Sequence, residues 1–477
     1  MKKRQSAKVS ASAPRPSPLA PPRRYTLPMN RAFVLLLLLS MPVAVSAGDF
    51  AQGRVIDSTP SVLSQRARVA PVNEILKDRL ENLLPALMRE TGIDMWIVIN
   101  REYMEDPVYL TLVPEPVFAA RRTTMLVFFD RGAEKGVERL TVSRYGLGTY
   151  YESAWEGGAD ADQWARLATI VKERNPKKIG INTSRHWAFG DGLTSALRTE
   201  LEASLDRSLR ERLVSAEALA IRWLETRTER EVELWTHVVA LARSVISEAF
   251  SNRVITPGIT TTDDVAWFVR QRFADLDLPA WFMPYVNLQR RGEPDNFEAD
   301  FYGKSDVIRR GDVLHTDVGI CYLRLCTDTQ EMGYVLREGE TDVPRGLQKA
   351  LADGNRWQDI LTSHFVTGRA GNEILAKTNA EAKAAGLIPT TYTHPLGFFG
   401  HASGPTIGMW DNQGPTPVRG DWKLHPMTGY AIEGNVKVNV PEWDGQWVQI
   451  KLEQSAVFDG KAVLYLAGRQ TSWHVVE

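Results

Sequence analysis

Hydrophobic positions divide the chain into two textures. Between about 70 and 220, helical and strand-like patterns alternate. Ile75, Leu76, Leu80, Leu83, Leu84, Leu87 and Met88 recur at a spacing near 3.6 and predict an amphipathic helix capped by Asn73. Met95–Ile99 and Met125–Phe129 follow as short, unbroken apolar runs, the pattern of strands buried on both faces. Arg139–Val142 and Lys178–Ile181 read as further strands. This is an α/β domain, and no Gly-rich phosphate loop occurs in it, so a nucleotide role has no support.

Near 225 the pattern changes. Thr228 and Glu231 form a capping box for a long helix whose buried face is Trp235, Val238, Val239, Ala242, Val245, Ile246 and Ala249. Pro257-Gly258 ends the next connection, and Thr260–Thr262 starts a second helix. Beyond about 280, strands and turns dominate, with helices expected near 344–353 and 371–386. The boundary falls at 222–228. The expected organisation is an α/β domain at 48–224 followed by an α+β domain at 225–477.

A length of 477 residues fits two domains, and 24% charged with 43% hydrophobic residues excludes a disordered or collagen-like chain. The net charge of −1 hides an uneven distribution. Residues 1–47 hold eight Lys and Arg and no Asp or Glu, leaving 49 basic against 58 acidic side chains beyond them, a net −9. That balance excludes a polybasic nucleic-acid binder. Within 1–47, Arg31 precedes the apolar run Ala32–Leu39 and the small residues ending Val45-Ser46-Ala47. This reads as a secretory signal peptide cut after Ala47, with Met29 an alternative start. The run is too short to span a membrane, and no Cys follows the cut to take a lipid anchor. The mature protein is therefore expected to be exported, to the periplasm, without a stable membrane anchor.

The candidate chemistry lies in the second domain. Arg310-Gly311-Asp312 reads as a turn leading into a strand with Asp317, and the chain returns through Thr327-Asp328-Thr329. With a turn centred at Tyr322-Leu323, Asp317 and Asp328 face each other across a hairpin. Two carboxylates so placed repel and need a cation. His401 sits in the Gly-rich stretch from His394 to Gly404, and Glu433 and Glu453 each lie in an apolar run where an unpartnered carboxylate is costly. Singly, each has an ordinary structural explanation. Together, Asp317, Asp328, His401, Glu433 and Glu453 are a carboxylate-rich set suited to paired divalent ions.

Over roughly 225–460 their order and spacing resemble the creatinase/prolidase-type pita-bread metallopeptidases, which include methionine aminopeptidase, aminopeptidase P and prolidase. The motifs that carry the resemblance are Gly311-Asp312…Asp317-Val-Gly319…Thr327-Asp328, Ile432-Glu433-Gly434, Leu452-Glu453 and a His-x-x-Gly at His401. The resemblance implies an α/β domain followed by an α+β pita-bread domain, and a metal-dependent exopeptidase acting on Xaa-Pro peptides, aminopeptidase P- or prolidase-like. It also implies two divalent ions, Mn or alternatively Co or Zn, sharing a water or hydroxide, held by those five residues. Glu433 would bind metal and shuttle the proton, and His394 would stabilise the tetrahedral intermediate. A homodimer is implied as well.

This chain departs from the family pattern twice. Asp300 stands where a catalytic His is usual, and no His occurs in Gly408–Asn412, where the second His falls. Asp411 is expected to hydrogen-bond in its place, and Trp410 to wall a proline ring. Two alternatives remain: a creatinase-like C–N hydrolase, which the full metal-ligand set argues against, and a peptide-binding protein without catalysis, which the missing histidines motivate. His315 is near enough to Asp317 for a supporting role. Cys321 and Cys326 read equally as a cross-strand disulfide or as two small buried residues.

Overall fold

The computed structural model describes residues 60–293 and 305–477, so the leader at 1–47 and Asp300 lie outside the described residues. Six strands, β1 Met95–Arg101, β2 Thr123–Asp130, β3 Val137–Ser143, β4 Glu152–Ser153, β5 Ile179–Ile181 and β6 Leu213–Ser215, form a mixed sheet ordered β4-β3-β2-β1-β5-β6. Successive side chains of a strand point to opposite faces, and here both faces are covered. Trp96, Val98, Leu126 and Phe128 pack with Leu76, Leu80, Leu84, Leu87 and Met88 and with Trp223 and Leu224. Met95, Ile97, Ile99, Met125 and Val127 turn the other way, against Leu167, Ile170, Val171, Leu197 and Leu201. Burial on both sides is why the runs are unbroken rather than alternating.

The first helix begins upstream of its expected cap. It runs Gln65–Asp78, passes through a π-helical turn Arg79–Leu83 and continues as Leu84–Thr91. Asn73 lies inside it and serves a loop instead, donating to the Glu115 carbonyl at 3.1 Å and accepting from the Glu115 N–H at 2.8 Å. An Asn that satisfies a distant backbone looks, in sequence, like one that caps a helix.

The second sheet joins β7 Tyr285–Gln289, β8 Val313–Val318, β11 Thr329–Val335, β12 Pro389–Thr391, β13 His394–Leu396, β14 Thr428–Val440, β15 Gln446–Phe458, β16 Val463–Tyr465 and β17 His474–Val476. A small hairpin, β9 Cys321–Tyr322 with β10 Leu325–Cys326, separates β8 from β11. The sheet path is β12-β14-β15-β11-β8-β7, with β13 on β14, β16 on β15 and β17 on β11. Ile432 and Val436 of β14, with Ile450 and Leu452 of β15, pack with the helices Arg345–Ser363 and Gly371–Ala384. The first of these outruns the expected 344–353, because Trp357, Ile360 and Leu361 prolong its buried face.

A second core gathers the helices Glu229–Ala249 and Thr262–Asp275 with Leu314, Val318 and Val457. The capping box forms as expected: the Thr228 hydroxyl accepts from Glu231 N–H, and the Glu231 carboxylate accepts from Thr228 N–H. Glu433 and Glu453 occupy alternate positions to Ile432 and Leu452, so both carboxylates turn away from the first core. Among the described residues, no helix is long and apolar enough to cross a membrane.

Candidate metal centre

Five strands bring one row of side chains together. Tyr285, Asp317, Gln330, Glu453 and Glu433 are successive cross-strand partners on β7, β8, β11, β15 and β14. Asp317 therefore faces Gln330, not Asp328. The hairpin tip lies at Leu323-Arg324, with φ of 55° and 63°, the left-handed pair of a type I′ turn, one position beyond the expected centre. No Gly or Asn marks that turn in the sequence. A disulfide between Cys321 and Cys326 closes the hairpin behind it. Asp328 still reaches the row, since one oxygen from each of Asp317, Asp328 and Glu453 lies within 4.8 Å of the others.

His394 enters from β13, where it pairs with Ala431, two residues before Glu433. Its Nε2 lies 3.5 Å from Asp328 Oδ2, 3.5 Å from Glu453 Oε1 and 3.6 Å from Glu433 Oε2. These distances exceed hydrogen bonds and surround a common point. The other ring nitrogen, Nδ1, is 3.0 Å from the Pro395 carbonyl. An Nδ1–H donated there leaves the Nε2 lone pair facing the carboxylates, the arrangement of a ligating imidazole. His394 Nε2, Glu453 Oε1 and Asp317 Oδ1 are all buried without a hydrogen-bond partner. Orphaned acceptors around one point are what a divalent cation would satisfy, so the residues fit the implied metal.

The electrostatics agree. Burial, followed by repulsion from neighbouring carboxylates, holds Asp317, Asp328 and Glu433 well above the usual carboxylate range. Burial alone would lower His394, but Glu453 and Glu433 outweigh it and the imidazole is raised. A positive ion among these acids would favour their ionised forms and offset both burial and repulsion.

His401 stands beside this centre. Its ring is 4.6 Å from that of His394 at 84°, and one nitrogen shares a potential ligand group with Asp328 and His394. Unlike the buried His394 it reaches solvent, yet the surrounding protein desolvates its ring, and that desolvation together with His394 lowers its pKa to about 4. Both histidines open a His-x-x-Gly, at His394-Pro-Leu-Gly397 and His401-Ala-Ser-Gly404, so the motif by itself could not separate them.

The loop between them is clamped. Phe398 has the Arg79 guanidinium at 4.8 Å and that of Arg227 at 4.4 Å, and both arginines pair with the buried Glu231. The Cys326 N–H donates to the Gly397 carbonyl at 2.7 Å. Trp281 lies edge-on to His401 at 5.2 Å and donates Nε1–H to the Thr327 carbonyl. A Cβ on Gly319 or Gly400 would stand 2.1 Å from this indole, which explains both glycines. Tyr392 completes the aromatic frame, 5.3 Å from His394.

Trp281, Tyr392 and Gln330 were not foreseen: Trp281 and Gln330 are remote in sequence from the His401 ring and the Glu433 and Glu453 carboxylates they meet, and Tyr392 reads as an ordinary aromatic two residues before His394. Trp410 and Asp411 form the exposed tip of a turn closed by reciprocal Met409–Asn412 backbone hydrogen bonds. Among the described residues, no ring contact or hydrogen bond joins either to the histidines. His315 meets the centre through Gln330, its Nε2 lying 2.8 Å from Gln330 Oε1.

An α/β sheet sandwich followed by an α+β sheet carrying buried Asp, Glu and His defines a metallopeptidase of pita-bread architecture. Residues 233–457 match the model of metallopeptidase family M24. The fold resembles X-Pro aminopeptidase from Thermotoga maritima MSB8, with a TM-score of 0.59, 16% identity, and 82% of this chain and 100% of that one covered. Xaa-Pro dipeptidase from Bacillus anthracis is similar at 0.56 and 15% identity, covering 85% and 100%. Prolidase from Pyrococcus furiosus follows at 0.51 and 13%, covering 80% and 98%. No curated protein matches by sequence.

Proposed function

We propose that this chain is a metal-dependent exopeptidase that hydrolyses Xaa-Pro peptides, with Asp317, Asp328, His394, Glu433 and Glu453 holding two divalent cations. The observation that carries the reading is the convergence of His394 Nε2 on Asp328, Glu433 and Glu453, with His394 Nε2, Glu453 Oε1 and Asp317 Oδ1 unpartnered. Glu453 belongs to two of the three possible groups, one with His394 and Glu433 and the other with Asp317 and Asp328, while the third joins Asp328 and His394 to His401. Bound ions would supply Lewis acidity toward a peptide carbonyl and an activated water.

The roles of the two histidines exchange relative to the expectation from spacing. His394 takes the ligand position, and His401, exposed beside it, becomes the second histidine of the loop, available to hydrogen-bond substrate. That supplies the histidine found missing near Trp410 and Asp411, and leaves those two without a role in the reading. Glu433, half-buried against His394, accepts a proton from the activated water at its carboxylate and passes it to the leaving amine. Trp281 and Tyr392 line the site beside the two histidines. Asp300 keeps a place in substrate handling, which Asp300→Ala tests by turnover. Mn is the expected metal.

The test is metal content of purified protein, followed by hydrolysis of a panel of Xaa-Pro di- and oligopeptides with and without added Mn. Protein that holds metal yet cleaves none of the panel would sink the exopeptidase reading. Export is part of the same proposal, supported by the leader pattern and by a disulfide suited to an oxidising compartment. A cell-fractionated protein still carrying residues 1–47 would overturn it.

A further inference from the structure

The carboxylates of Glu433 and Glu453 each divide their two oxygens between different tasks. Glu433 Oε2 and Glu453 Oε1 face His394. The other two oxygens meet a single side chain: Gln330 Nε2 lies 2.6 Å from Glu433 Oε1 and 2.8 Å from Glu453 Oε2. One amide nitrogen carries two hydrogens, so it can serve both carboxylates at once. With a cation bound, both carboxylates would be ionised and accept only, which assigns the amide nitrogen to this side. Gln330 Oε1 then faces His315 Nε2 at 2.8 Å, and His315 Nδ1 lies 3.1 Å from Asn287 Oδ1.

Gln330 also holds the one register position at which β11 and β15 pair. Its place between the Asp317 and Glu453 strands is therefore set by the backbone, and the imidazole of His315 sets its rotation.

We propose that Gln330 is the positioning residue of this centre: its amide fixes which oxygen of Glu433 and of Glu453 is left for the cation, and His315 orients that amide. A neutral donor is suited to this place. A Lys or Arg there would pair with the acids and compete with metal, whereas an amide satisfies the outer oxygens and leaves the negative charge for the ion. The inference rests on the metal reading above.

The test uses metal-free full-length protein, titrated with Mn2+ by calorimetry, comparing wild type with Gln330→Met, which keeps length and volume but cannot donate. Its metal-free melting curve is the fold control. Affinity for Mn2+ is expected to weaken about 10- to 100-fold. The visible absorption of the Co2+-loaded protein, which reports the ligand field and which a packing role would not move, is expected to change as well. If Gln330→Met does not fold, His315→Phe, which removes the orienting donor, carries the test and is expected to shift both readouts in the same direction. Wild-type affinity and an unchanged Co2+ spectrum in the folded variant would overturn the inference while the metal reading stood. Wild type that binds no Mn2+ would overturn both.

Discussion

Glu433 and Glu453 face each other directly across β14 and β15, both against the Nε2 of His394. Side chains opposed in this way lie close enough that two like charges destabilise the pair. Here a row of strand positions concentrates the acids on one spot, and a bound cation would relieve that repulsion.

Metal removal should therefore have a pH-dependent cost. Asp317, Asp328 and Glu433 have folded pKa values raised above their ordinary range, by burial first and mutual repulsion second. In the folded metal-free state they keep protons that the unfolded chain releases, so stability is full at low pH and falls as pH rises through and above that range. A cation displaces those protons and reverses the trend. Melting curves between about pH 5 and pH 8 should show the chelated protein losing stability with pH and the gap to Mn-loaded protein widening. A gap independent of pH would contradict the assignment.

Glu433→Gln removes the proton acceptor while preserving shape. Peptide hydrolysis is expected to fall by at least about 100-fold, the scale of general acid–base catalysis. Circular dichroism should remain that of the wild type, and a fully active variant would refute the assigned role.

The two histidines are separable by metal counting. His394→Ala deletes the only imidazole in ion-pair range of three carboxylates among the described residues, and should lose bound metal together with activity. His401→Ala should keep its metal and lose turnover. Elemental analysis of both variants decides between them, and the opposite outcome would restore the ligand role to His401.

A different acid gives the opposite pH dependence. Burial pushes Glu331 up, but the Arg243 guanidinium and His474 outweigh it and hold the carboxyl at about 2. The pair distances are 2.6 Å and 2.5 Å. Its stabilisation is present above the ordinary carboxylate range and is lost as pH falls toward about 2. Glu331→Gln strands the buried Arg243 and is expected to cost about 3–5 kcal/mol in urea unfolding near neutral pH. A cost under about 1 kcal/mol, the scale of an exposed pair, would show that Arg243 finds another partner.

Local physics made much of this protein legible before its structure. The unbroken runs at Met95 and Met125 announced strands buried twice over, and the Thr228–Glu231 capping box marked a helix start. Glu433 and Glu453 stood out because carboxylates in apolar runs carry a desolvation cost that asks for a partner. Periodicity, capping and desolvation act over a few residues, so the sequence alone determines them. What it could not determine was register. One residue of difference in the turn at Leu323-Arg324 exchanged Asp328 for Gln330 as the partner of Asp317. The different placement of His394 and His401, seven residues apart with the same His-x-x-Gly, was set by β13 pairing with β14 and by the clamp on Phe398, which leave His394 Nε2 against Asp328, Glu433 and Glu453. Such choices depend on contacts between strands far apart in the chain, and only the tertiary structure decides them.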